Sequence, residues 1–109
     1  MTKVAVVFAE GFEEIEALSP VDVFRRAGFD CNMLGLESAS VTGSHGIQVI
    51  MDGVFDGNLD EYDLVVLPGG MPGSTKLRDH QALIASLQEV AKAGKYVAAI
   101  CAAPIVLER

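Results

Sequence analysis

Apolar residues in this chain gather into short runs separated by turn formers. Val4–Ala9, Leu64–Leu67 and Tyr96–Ile100 are unbroken, with no polar residue interposed in the alternate positions. Runs of that kind predict strands covered on both faces, as in a parallel sheet. Asp30–Leu36 alternates weakly and predicts a further strand. Val41-Thr42 and Ile47–Met51, joined by Gly43-Ser44-His45-Gly46, predict a small hairpin or irregular excursion. Between the strands the period lengthens. Glu13–Leu18 predicts a helical turn or two with acids at its favourable end. Ser19-Pro20-Val21-Asp22 then reads as a fresh start, with Ser19 as N-cap and Pro20 in the first position. That helix should continue through Phe24 to Arg25-Arg26 and stop at Gly28, with a kink near Ser19-Pro20. Asp79 is the expected cap of another helix, from about Gln81 to Ala93, ended by Gly94. Strands alternating with helices predict an α/β fold, a doubly wound parallel sheet with right-handed connections. Residues 1–109 are expected to form one domain.

Composition narrows the chemistry. Half of the 109 residues are hydrophobic and Trp is absent, so the core must be aliphatic. The net charge of −7 repels phosphate backbones and anionic membranes. Neither nucleic acid nor a membrane is expected as a partner. Cys31 and Cys101 are too few and too distant for a disulfide framework or a zinc site, and they suit a reducing cytoplasm. The apolar run Val4–Ala9 is short for a signal peptide and far short of a membrane span.

Cys101 stands out. It follows the strand Tyr96–Ile100 and precedes Ala102-Ala103-Pro104, where Pro104 reads as a first helical turn. A thiol at such a corner meets the free N–H groups and positive end of a new helix, which favours the thiolate. The arrangement resembles a nucleophile elbow with sulfur in place of a hydroxyl. The simpler reading is a buried small hydrophobe, and that reading suits Cys31. Glu16, between Ile15 and Ala17, is the carboxylate to pair with Cys101. On a segment that buries part of itself, it would tend to hold a proton and move it during turnover. Local pattern alone equally allows Glu13, Glu14 and Glu16 to be an acidic helix start. Gly69-Gly70 either offers backbone N–H groups to an oxyanion or simply turns the chain. His45 reads as a surface or interface residue and His80 as a helix-start residue. Gly69-Gly70-Met71-Pro72-Gly73 lacks the lysine and spacing of a phosphate loop.

Four runs together are recognisable: Ala9-Glu10-Gly11-Phe12-Glu13-Glu14-Ile15-Glu16, Pro20–Gly28, Val65-Val66-Leu67-Pro68-Gly69-Gly70, and Ala98-Ala99-Ile100-Cys101-Ala102-Ala103-Pro104. The chain resembles the N-terminal part of the ThiJ/PfpI (DJ-one) superfamily, close to its parkinsonism-associated deglycase branch. The resemblance implies a flavodoxin-like α/β sandwich, normally homodimeric. It implies that Cys101 and Glu16 are catalytic, and that Gly69, Gly70 and Ala102 bind substrate or the oxyanion. The activity it implies is glutathione-independent conversion of small 2-oxoaldehydes such as methylglyoxal, or deglycation. No cofactor and no metal is expected. A redox-sensing or chaperone role through oxidation of Cys101 is the alternative. The family domain is longer and its pocket histidine falls beyond Arg109, so the C-terminal elements of the sandwich are expected on a separate, non-covalently associated fragment.

Overall fold

Val4, Ala5, Val6, Val7 and Phe8 have no solvent exposure, which a strand achieves only when layers cover both of its faces. They form β1 (Lys3–Phe8), the centre of the sheet in a computed structural model that describes residues 2–70 and 73–99. Around it lie β2 (Asp30–Gly35), β5 (Gly53–Val54), β6 (Leu64–Leu67) and β7 (Tyr96–Ala99). The order across the sheet is β5-β2-β1-β6-β7, and every pairing is parallel. The flavodoxin-like α/β fold expected from the sequence is thereby present.

Alternation along β1 feeds two cores. Val4, Val6 and Phe8 point toward α1 (Glu14–Arg26), joining Phe12, Ala17, Val21, Cys31, Val41, Met51 and Val66. Ala5 and Val7 point the other way, into a cluster with Leu34, Val65, Leu67, Leu77, Leu83, Leu87 and Val90. The latter residues come partly from α2 (Gly73–Asp79) and α3 (Gln81–Lys92). Each fully buried valine or leucine contributes roughly 1.5–3 kcal/mol relative to exposure, so the central strand dominates the stability of both layers. β3 (Ser40–Thr42) and β4 (Gln48–Ile50) form the predicted hairpin as an antiparallel pair outside the main sheet.

Two helix starts differ from expectation. The fresh start at Ser19-Pro20 does not occur: α1 runs unbroken from Glu14 to Arg26 with Pro20 inside it. Its N-cap is Glu13, whose side chain accepts from the Ile15 amide at 2.9 Å, so no second cap is needed. Pro20 gives no N–H to the preceding turn, a loss that burial of Ala17 and Val21 offsets. Asp22 serves instead as the i,i+4 partner of Arg26, at 2.9 Å. Asp79 likewise does not cap α3. The cap is His80, with Nδ1 accepting from the Leu83 amide at 3.2 Å, and Asp79 closes α2. The short elements β5 and α2 were not expected.

The loops leaving β1 and β6 meet on one sheet edge. The Glu13 amide donates to the Gly69 carbonyl at 2.9 Å. Gly70 has φ +101°, and a Cβ there would lie 2.4 Å from the Glu13 nitrogen and 2.8 Å from the Gly11 oxygen. Both the dihedral and the backbone contact demand glycine. Gly28 has a comparable φ of +86° with nothing within 4 Å of its would-be Cβ. Chemical denaturation should therefore separate the two: Gly28→Ala is expected to cost about 1 kcal/mol for the left-handed backbone alone. Gly70→Ala should cost above ~3 kcal/mol, because the β1 and β6 loops must part.

Candidate active site

The contact between the two loops fixes the start of α1 at the carboxyl ends of β1 and β6. In an open α/β sheet with this order, that is where the connections diverge to opposite faces and a crevice forms. Glu16 lies one helical turn beyond Glu13, half-buried, with its Oε1 shielded from solvent. Three of the sequence-derived site residues are therefore brought near one another, Glu16 on the first turn of α1 and Gly69 and Gly70 on the β6 loop that its N-cap contacts. β7 runs beside β6 with Ala99 paired to Leu67, so the described end of β7 is level with the strand that leads to Gly69. Cys101 and Ala102 lie outside the described residues.

Glu14, which sequence reasoning folded into an acidic helix start, is the most constrained carboxylate of the described residues. Its side chain is 5% exposed. Oε2 accepts from the His45 amide at 2.8 Å and the Ile47 amide at 3.3 Å, while Oε1 lies 2.8 Å from His45 Nδ1. Burial raises its pKa, yet the imidazole and the converging amides outweigh that and hold the carboxyl at about 2, against 4.5 ordinarily. Glu14 thus pins the β3–β4 loop to the mouth of α1. The only sequence signal for this was Gly43, where a Cβ would come within 2.4 Å of the Glu14 carboxylate.

His45 is exposed as expected, its side chain 70% accessible, but it is not a free surface residue. The hydrogen bond and charge of Glu14 raise its pKa above 6.5. Glu13, Glu14 and His45 hold ligand-type atoms within 4.8 Å of one another. Both Glu14 oxygens are already satisfied by amides and the imidazole, so the cluster reads as an anchor. Cys31 is buried in β2, and that burial raises its thiol pKa, which suits the inert reading given to it.

A parallel sheet of this order, with a glycine corner and a glutamate-bearing helix meeting at the divergence point, defines a flavodoxin-like α/β protein whose candidate site lies at the carboxyl ends of β1 and β6. Residues 2–109 match the DJ-1/PfpI family, and the chain belongs to it. It is 38% identical to Protein dj-1beta of Drosophila melanogaster over 106 residues, covering 95% of this chain and 57% of that protein. It is 33% identical to Deglycase TK1284 of Thermococcus kodakarensis, covering 96% of this chain and 63% of that one. Among solved structures, oxidized Toxoplasma gondii DJ-1 matches with a TM-score of 0.94 at 41% identity, over 99% of this chain and 60% of that chain. The chain thus spans about 60% of that chain's length. Among the described residues, no helix is long and apolar enough to cross a membrane.

The Glu14–His45 pair sets a pH window for the loop it holds. The lowered carboxyl contributes stability above pH 4.5, which is lost as pH falls toward about 2. The raised imidazole contributes fully below pH 6.5, and its share is lost as pH rises through the raised value. Amide exchange protection at His45 and Ile47 should therefore be greatest between these limits. Glu14→Gln is expected to flatten both limbs and lower Tm by on the order of 5–10 °C. His45→Gln should remove the alkaline limb and only weaken the acid limb, because the amides of residue 45 and Ile47 still reach the Glu14 carboxylate.

Proposed function

We propose that the complete protein is a cysteine-dependent, glutathione-independent enzyme acting on small 2-oxoaldehydes such as methylglyoxal, with deglycation as the related activity. Cys101 thiolate adds to the aldehyde carbon to form a hemithioacetal. Glu16 takes the proton from that carbon and returns one to the neighbouring carbon, so that the former ketone becomes an alcohol and the adduct a thioester. Water then releases the 2-hydroxy acid and restores the thiol. Gly69, Gly70 and Ala102 offer backbone N–H groups to the substrate oxygen. The balance needs no external oxidant, cofactor or metal.

The observation that carries this reading is Glu16 on the first turns of α1, one oxygen shielded, anchored through Glu13 to the Gly69 carbonyl at 2.9 Å. Membership of the DJ-1/PfpI family and the name deglycase on the Thermococcus relative support it. A second reading, a redox-responsive or chaperone protein in which Cys101 is oxidised, is favoured by the oxidized form of the Toxoplasma relative.

The reading extends to assembly. Ile15, Val23, Ile47 and Ile50 are exposed on α1 and the β3–β4 hairpin, an apolar surface suited to a homodimer. On the α1 side of β7, Tyr96 is 75% exposed and Ala98 is exposed too. A further segment of the family domain, on this chain or as a separate fragment, would cover that face, and residues 1–109 would be the N-terminal part of that domain. A cytoplasmic location goes with this reading.

Methylglyoxal loss without glutathione, followed on the full-length protein, tests the chemistry. Cys101→Ser should abolish turnover, and Glu16→Gln should lower kcat by roughly 10²-fold or more. Turnover that survives Cys101→Ser sinks the enzyme reading. Negligible wild-type turnover, together with a peroxide-dependent mass gain confined to Cys101, would favour the redox reading.

A further inference from the structure

A second concavity lies apart from Glu16, Gly69 and Gly70. It encloses about 360 Å³ near the carboxyl ends of β1 and β2, bordered by residues of α2 and the start of α3. Phe8, Ala9, Leu36 and Val41, all buried side chains, form an apolar floor. Glu10, Glu37 and Asp79 line it together with one cation, Lys76. Asp79 is ion-paired with Arg78 at 3.2 Å, so it is Glu10 and Glu37 against Lys76 that make the rim anionic, over an apolar base that a bare metal ion would not use.

The rim is partly pre-arranged. Glu10 Oε2 accepts from the Thr42 amide at 3.1 Å, which holds that carboxylate against the hairpin. The His80 ring also lines the cleft. It is held by the 3.2 Å bond from the Leu83 amide to Nδ1 and by an edge contact with Phe55, 5.7 Å between centroids. Glu37, by contrast, has no hydrogen bond or ion pair within the described residues, so its charge is available to a ligand. A volume near the small end of ligand pockets fits a compact molecule.

We propose that this cleft binds a small organic cation, an amine on a short aromatic or aliphatic body, with the body on the Phe8–Leu36–Val41 floor and the charge against Glu37. The proposal does not rest on the activity proposed above.

The test is an amide-resolved NMR titration of the full chain with three probes of one shape: phenethylamine, 2-phenylethanol and 3-phenylpropionate. Phenethylamine should give saturable shifts at Leu36, Val41 and His80 with a millimolar Kd. The alcohol should bind about three- to fivefold more weakly, and the carboxylate more weakly still. Glu37→Gln should erase the advantage of amine over alcohol, and Lys76→Gln should strengthen amine binding about twofold. Opposite effects from two exposed residues are not what a general loss of structure would produce. Shifts that do not saturate, that map elsewhere, or that favour the carboxylate would overturn the proposal, as would equal affinities for amine and alcohol.

Discussion

The rest of this structure depends on one backbone contact, the approach of the β6 loop to the β1 loop at Gly69-Gly70. The Glu13 amide reaches the Gly69 carbonyl at 2.9 Å, and Gly70 lies so close to Gly11 and Glu13 that no side chain fits. Because Glu13 is also the N-cap of α1, the contact sets where that helix begins relative to the sheet. The position of Glu14 and Glu16 follows from helical geometry once that start is fixed. The Gly11 amide bonded to the Thr42 carbonyl at 2.9 Å, and the Ser44 amide bonded to Phe12 at 2.8 Å, bring the hairpin to the same corner.

Three glutamates within four positions then take three different tasks, because successive helical residues point about 100° apart. Glu13 turns back on its own helix and satisfies the Ile15 amide. Glu14 points into the hairpin loop, where every oxygen is bonded. Glu16 places an oxygen out of solvent on the next turn. All three benefit from the positive end of α1. This division makes Glu14 a poor choice for proton transfer, since its low pKa and full set of donors hold it ionised. Glu16, on the next turn of α1, lies outside the group of bonds from His45 and Ile47 that hold Glu14 to the hairpin.

Much of the architecture was legible in the sequence because burial on both faces leaves an unmistakable trace. The unbroken runs Val4–Ala9 and Leu64–Leu67 became β1 and β6 almost without change, and Gly94 ended α3 as expected. What misled was local chemistry that tertiary contacts override. Ser19-Pro20 carries every mark of a helix start, yet Glu13 had already capped the helix and packing carried it through the proline. His80 took the cap in place of Asp79: Asp79 ends α2 and pairs with Arg78, while the Nδ1 of His80 accepts from the Leu83 amide. Glu14 was hidden for another reason: its partners, His45 and Ile47, are more than thirty positions away. No periodicity reports a contact of that span. β5, at two residues, is below the length at which alternation is visible.

The open side of β7 tests how far the layer rule reaches. Parallel strands are ordinarily covered on both faces, and β1 obeys this completely. β7 obeys it on one side, where Val97 packs on the cluster beneath α3. On the other side α1 reaches only as far as Val66 of β6, and Ala98, paired with Val66, stays exposed. Register places Tyr96 and Ala98 on the face that α1 protects elsewhere, so their exposure follows from the width of one helix, which covers about two strands of a sheet with 4.7–4.9 Å spacing. A sheet of this width needs a second helix on the α1 side. A layer over Tyr96 and Ala98, which none of the described residues supplies, would also border the carboxyl end of β7, so covering that strand and enclosing the proposed site are one structural requirement.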